Sequence, residues 1–150
     1  MSETCIQAND FLNELFQRCK FDLHSEMRDS EMECLLMIEG KDTSLLLSEG
    51  AELLDAMQHI TTLAFGHDLQ EGKRFICDAD NYRSTREAEL KVMARHAAEQ
   101  VRKAGVSFTF GPMNAVERRV IHLALADEND ILTESVGEGS ARRLKVILKK

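Results

Sequence analysis

The feature that most restricts this chain is its apolar period, which switches between helical spacing and strand alternation and leaves hardly a residue for linkers. Phe11, Leu12, Leu15 and Phe16 share one stripe of a helix expected over residues 8–19. Residues 21–28 and 32–38 then alternate, the second run with Cys34, Leu36 and Ile38 on one side. The Asp29-Ser30 turn between them predicts a hairpin. Leu45-Leu46-Leu47 fits one helical turn, Ser48-Glu49-Gly50-Ala51 interrupts it, and residues 52–64 resume helical spacing. Phe75-Ile76-Cys77 reads as a short strand. The longest helix is expected over residues 83–104, with Leu90, Met93, Ala94, Ala97, Val101 and Ala104 as its apolar stripe and Gly105 as its stop. Residues 106–110 alternate as a strand, and residues 114–126 read as a helix. Strands at 131–135 and 142–148 flank a turn at residues 137–140. The pattern predicts an α+β fold of two blocks, 1–80 and 81–150, each with a small sheet. The blocks must abut, because Pro112 is the one proline and no Gly/Ser tract separates them.

Charge divides the same two blocks. The net charge of −7 speaks against nucleic acid for the chain as a whole. Residues 1–80, however, hold 6 Lys and Arg against 17 Asp and Glu, a net of −11, whereas residues 81–150 hold 13 against 9, a net of +4. If nucleic acid binds, it is therefore expected on the second block. No apolar stretch is long enough for a membrane span, and Met1-Ser2-Glu3-Thr4-Cys5 does not open a basic-then-apolar leader, so the expected address is the cytoplasm. The four cysteines form no CxxC pair, which predicts reduced thiols, no metal and no cofactor. HExxH, P-loop, GxSxG and GxGxxG patterns are missing, so the residues point to a binding protein rather than an enzyme. The acidic run Asp127-Glu128-Asn129-Asp130 lacks EF-hand spacing and reads as a solvated loop.

The helix at residues 114–126 carries the chemistry. At about 100° per residue, Val116, Val120 and Leu123 fall together as the expected core face, while Arg118, His122 and Arg119 form one polar arc. Arg118 and His122 are i and i+4 neighbours. Guanidinium groups offer planar, permanently charged forks that match phosphate oxygens, and an imidazole adds a donor and a flat ring for a base. Arg142, Arg143 and Lys145 of the last strand extend this basic set if that strand packs beside the helix. On spacing alone, a solvated helix face and a basic tail is the simpler reading.

Arg118 and His122, with three residues between them, match the motif that names the R-3-H domain of single-stranded nucleic-acid binders. The likeness extends to Tyr82-Arg83, Pro112-Met113-Asn114, Glu117-Arg118-Arg119, His122-Leu123-Ala124-Leu125, Thr133-Glu134-Ser135, Gly137 and Arg142-Arg143. Over residues 76–148, without a gap, the chain resembles the C-terminal half of the bacterial Jag (SpoIIIJ-associated) proteins. The resemblance implies a type II KH-like domain over residues 1–80, followed by a small R-3-H domain, a three-stranded sheet with two helices, over 81–150. It implies contacts to single-stranded RNA, or DNA, from Asn114, Arg118, Arg119, His122, Arg142, Arg143 and Lys145, and a regulatory role. It also places the nucleic-acid loop of KH domains, GxxG, on Ser48-Glu49-Gly50-Ala51. There both outer glycines are replaced and the centre carries an anion, so RNA binding is not expected at this loop. The alternative reading is a protein-interaction or scaffold module, in which the acidic half takes a protein partner in place of RNA or masks the basic patch from within. Longer members of the family carry a further N-terminal domain and linker, which the reading of residues 1–80 as KH-like leaves out.

Overall fold

A computed structural model describes residues 2–150. Two compact units divide the chain, Met1–Tyr82 and Arg83–Lys150. Both are mixtures of helices and small sheets, as the alternating periods predict.

The first unit runs α1 (Glu3–Arg18), β1 (His24–Asp29), β2 (Glu33–Glu39), α2 (Thr43–Phe65) and β3 (Arg74–Asp78). Its sheet has the order β1-β2-β3, with β1 antiparallel and β3 parallel to β2. The hairpin forms as expected, and Cys34, Leu36 and Ile38 are fully buried. They meet Cys5, Ala8, Leu12 and Phe16 of α1, and Leu46, Leu54 and Met57 of α2, in one core. The helix α1 begins five residues before its expected start at residue 8, because Cys5 and Ala8 continue the buried face of the stripe. It ends in a left-handed residue, Lys20 (φ 57°), with the Phe21 amide donating to the Phe16 carbonyl at 2.9 Å. Asn13 reaches from α1 to the outer strand β1. Its Oδ1 accepts from the Ser25 amide (2.7 Å) and its Nδ2 donates to the Ser25 carbonyl (3.0 Å), which satisfies part of an open sheet edge.

Two devices fix the ends of this unit. Gly40 (φ 145°) lies where a Cβ would stand 2.1 Å from the Asp22 carbonyl oxygen, so no side chain fits there. Asp29, at the end of β1, accepts from the Ser2 amide (2.7 Å) and from the Lys73 ammonium, and both side chains are largely buried. The Lys73 ammonium, followed by the Ser2 amide, holds the Asp29 carboxyl down to about 2. Burial pushes the nearby Cys34 thiol well above its ordinary range. The four cysteines are free thiols, Cys19 alone exposed.

The second unit runs α3 (Tyr82–Ala104), β4 (Phe108–Thr109), α4 (Ala115–Leu125), β5 (Ile131–Val136) and β6 (Arg143–Leu148). Its sheet has the order β4-β6-β5, antiparallel throughout. Leu144 and Val146 of β6 are buried with Leu90, Ala94, Ala97, Ala98 and Val101 of α3 and Ile121 and Leu125 of α4. Both helices therefore cover one face of the sheet. Of the expected α3 stripe, Met93 and Ala104 are exposed and Ala98 takes part instead. The strand expected over residues 106–110 shortens to two residues, since only Phe108 and Thr109 pair with β6. Among the described residues, no helix is long and apolar enough to cross a membrane.

Candidate nucleic-acid interface

The helix α4 is set by its first turn. Asn114 is the N-cap, with Oδ1 accepting from the Glu117 amide at 2.9 Å, while Glu117 Oε2 accepts from the Asn114 amide at 3.4 Å. The other Glu117 oxygen, Oε1, accepts from Arg86 Nε of α3 at 3.0 Å. Glu117 is 9% exposed, so a charged residue stands inside the helix's inward face, and α4 is turned relative to the sequence expectation. Glu117, Ile121 and Leu125 point inward, whereas Val116 and Leu123 are 70% and 57% exposed. The expected core face of Val116, Val120 and Leu123 is thus corrected, and Val120 alone of the three packs partly against the core.

This turn moves the polar arc to the edge of the core. Arg118 is half-buried, and its Nη1 donates to the Met113 carbonyl at 2.6 Å. That bond ties the guanidinium to the loop before the helix. His122 lies one turn on, its Nδ1 2.6 Å from Thr133 Oγ1 of β5. If Nδ1 accepts from the hydroxyl, Nε2 carries the proton and faces outward as a donor. Thr133 and Ser135 pair with Val146 and Leu144, so both project on the helix-covered side of the sheet. Arg118, Arg119, His122, Thr133 and Ser135, floored by Ala115 and Leu144, line one open concavity of about 380 Å³.

The strand cations go elsewhere. Arg143 and Lys145 lie opposite Val136 and Glu134 in register and alternate with the buried Leu144 and Val146, so they project from the face of the sheet that α3 and α4 leave uncovered. They do not extend the helix patch. Arg143 Nε donates to the Ala141 carbonyl at 3.4 Å. Arg142 precedes β6 and is exposed, its carbonyl accepting from the Met113 amide at 3.0 Å near the start of α4. The acidic loop after α4 is a clamp for one cation. Arg102 Nε and Nη2 each donate to Asp130 at 2.7 Å, and Nη2 reaches Glu128 at 2.6 Å. This fork lowers the Asp130 carboxyl and raises the Arg102 guanidinium from their ordinary values.

Residues 88–148 match the R-3-H domain family. The chain is 30% identical over 146 residues to RNA-binding protein KhpB of Clostridium symbiosum, covering 96% of this chain and 66% of that one. It is 34% identical over 115 residues to RNA-binding protein KhpB of Bacillus subtilis, covering 75% and 55%. To RNA-binding protein KhpB of Lactiplantibacillus plantarum it is 29% identical over 106 residues, covering 71% and 33%. The chain is thus similar to the KhpB proteins, and residues 88–148 to the R-3-H domain family. It spans between 33% and 66% of the length of these relatives.

Within the R-3-H domain, the motif pair Arg118 and His122 shares one concavity, and each is held by a hydrogen bond to another element. Thr133 and Ser135 were not among the residues expected at the site. Their signal is polar residues at i and i+2 in phase with the buried Ile131, which marks a strand face that turns from core to cleft along its length. Outside the R-3-H domain, Ser48-Glu49-Gly50-Ala51 breaks α2 as expected. Glu49, Gly50 and Ala51 are all left-handed, with φ of 53°, 69° and 61°. Leu45, Ser48, Glu49, Glu52, Leu53 and Ala56 form a shallow concavity of about 330 Å³ around the break. Among the described residues, no three or more His, Cys, Asp or Glu are grouped to hold a metal ion.

Proposed function

We propose that this chain binds single-stranded nucleic acid, RNA in the first place, through the cleft between α4 and β5. The convergence of Arg118, Arg119 and His122 with the hydroxyls of Thr133 and Ser135 carries the reading. Arg118 uses one Nη to hold the Met113 carbonyl and turns the rest of its fork to phosphate, Arg119 adds a second charge, and Nε2 of His122 donates to a phosphate or base. The net charge of +4 over residues 81–150 and the RNA-binding names of the relatives support it. Asn114 acts here by capping the helix that presents the arginines. Arg142, Arg143 and Lys145 contribute a diffuse attraction rather than contacts in the cleft. Contacts of this kind read backbone more than bases, so sequence preference is weak. The chain acts as a binding protein in the cytoplasm, not as an enzyme. Fluorescence anisotropy with labelled single-stranded RNA at two salt concentrations tests the site. An Arg118→Ala/His122→Ala double variant that binds like wild type sinks it.

The first unit supports a second, complementary reading. Its order of helix, two strands, a broken helix and a parallel third strand fits a type II KH-like domain, with Ser48–Ala51 at the position of the GxxG loop. Glu49 and Glu52 beside this loop repel phosphate, and Leu45 and Leu53 offer apolar surface, which suits a protein partner. Glu49→Lys/Glu52→Lys separates the two uses of the loop. Tighter RNA binding in the variant means the backbone cradle survives and only its charge is wrong, whereas unchanged binding leaves the loop to a protein.

A further inference from the structure

A second concavity, of about 450 Å³, lies at the other edge of the R-3-H sheet, between α3 and β4, and is lined by His96, Gln100, Val106, Ser107 and Phe108 among others. We propose that it is a nucleobase subsite for the same strand whose phosphate occupies the Arg118–His122 cleft. The proposal rests on the nucleic-acid reading above. Val106 and Phe108 are 66% and 40% exposed, an unusual amount of apolar surface for two residues around an edge strand. The Phe108 ring, which lines the opening, is restrained by a T-shaped contact with the buried Phe110, centroids 5.0 Å apart at 83°. The side chains of His96, Gln100 and Ser107 have no hydrogen-bond or ion-pair partner among the described residues. Together they offer donors and acceptors, which is what the edge of a base requires.

An extended peptide fits less well. The β4 ladder is two residues long, too short to anchor an added strand, and an apolar side chain entering the concavity strips water from three polar groups without replacing it. The two concavities flank β4 and β5, the outer strands of the order β4-β6-β5, which lie two inter-strand steps or roughly 10 Å apart, so one short single strand can reach both.

The test uses the full chain. Adenosine and uridine, which lack phosphate, are titrated while the amide resonances of Ser107 and Phe108 and the Gln100 side-chain amide are followed by NMR. Saturable shifts at these groups, kept in the Arg118→Ala/His122→Ala variant, are expected. In parallel, Gln100→Ala and Phe108→Leu are expected to weaken binding of a strand of about ten nucleotides by about five- to tenfold, with the salt slope unchanged because no phosphate contact is lost. Gln100 lies on an exposed helix face, so its variant keeps the fold intact. Nucleosides that leave these resonances still, or two variants that bind the strand as wild type does, overturn the subsite whatever Arg118 does. An apolar peptide that shifts them where nucleosides do not also overturns it. Nucleoside binding here in a chain whose strand affinity ignores Arg118 and His122 upholds the subsite and removes the cleft reading alone.

Discussion

Arg118 has two jobs in the proposed site, and replacing it separates them. In Arg118→Ala, the Met113 carbonyl loses an ionised donor at 2.6 Å, which costs on the order of 1.5 kcal/mol of stability for a half-buried bond. The same change removes one phosphate contact. For a single strand each contact contributes about 0.7 to the slope of log affinity against log salt, so the variant's slope is shallower by about 0.7. Between about 50 and 200 mM salt, its deficit against wild type then narrows by about 2.6-fold. Arg118→Lys keeps the charge but loses the fork, so a single ammonium cannot hold both the carbonyl and a phosphate. Its slope is expected to match wild type while its affinity falls about three- to tenfold. Anisotropy titrations across four salt concentrations, paired with urea unfolding of the same proteins, read both effects. Loss of stability in Arg118→Ala with an unchanged affinity and slope refutes the phosphate role and leaves Arg118 as a brace for the Met113 loop. A lysine variant indistinguishable from wild type refutes the divided fork.

Three further outcomes follow from the packing. Glu117→Ala removes half of the capping box and leaves Arg86 without its α4 partner, which is expected to cost about 3 kcal/mol in urea unfolding, and Glu117→Gln less because an oxygen remains for the Asn114 amide. Asp29 is held below its ordinary value of 3.8, at about 2, so it contributes stability that is present above pH 4 and is lost as pH falls towards 2; Asp29→Asn should flatten that part of an acid titration followed by circular dichroism, and an unchanged profile counts against the Lys73 pairing. Glu49→Gly relieves a left-handed residue, worth about 1–2 kcal/mol. It adds unfolded-state freedom of about 0.4–1 kcal/mol, so a net gain of about 0.5 kcal/mol is expected in the same assay, and a loss contradicts the left-handed geometry at residue 49.

Most of the element order was legible because the periods are strong where the core is strong. Cys34, Leu36 and Ile38, and Leu144 and Val146, alternate without interruption, which marks both strands, and the Asp29-Ser30 turn added the pairing of the first. The phase of α4 was not legible. Its apolar residues are spread round the helix, so Val116, Val120 and Leu123 and the true face of Ile121 and Leu125 compete on equal terms. A buried Glu117 decides between them, and its partner Arg86 lies 31 residues away in sequence. The site shows the same limit. Arg118 and His122 share a helix, so spacing puts them together, but whether Arg143 and Lys145 join them depends on which way the pleat of β6 faces, and only Leu144 and Val146 in their core settle that. The short β4 is a loss of a different kind. Val106 continues the alternation but has no partner across the sheet, since β6 pairs only with residues 108 and 109 there.

The parallel partner of β2 arrives late. The ion pair of Glu33 with Arg74 and the whole β2–β3 register join residues 41 positions apart, with all of α2 in between. The β1–β2 hairpin can close while the chain is still being synthesised, but the far edge of β2, flanked by Leu36 and Ile38, stays open until residues 74–78 have emerged. A nascent or truncated chain ending before Arg74 therefore displays an apolar strand with an unpaired edge, the form most prone to join a second copy of itself. The last strand of this unit is also its seal against self-association during translation.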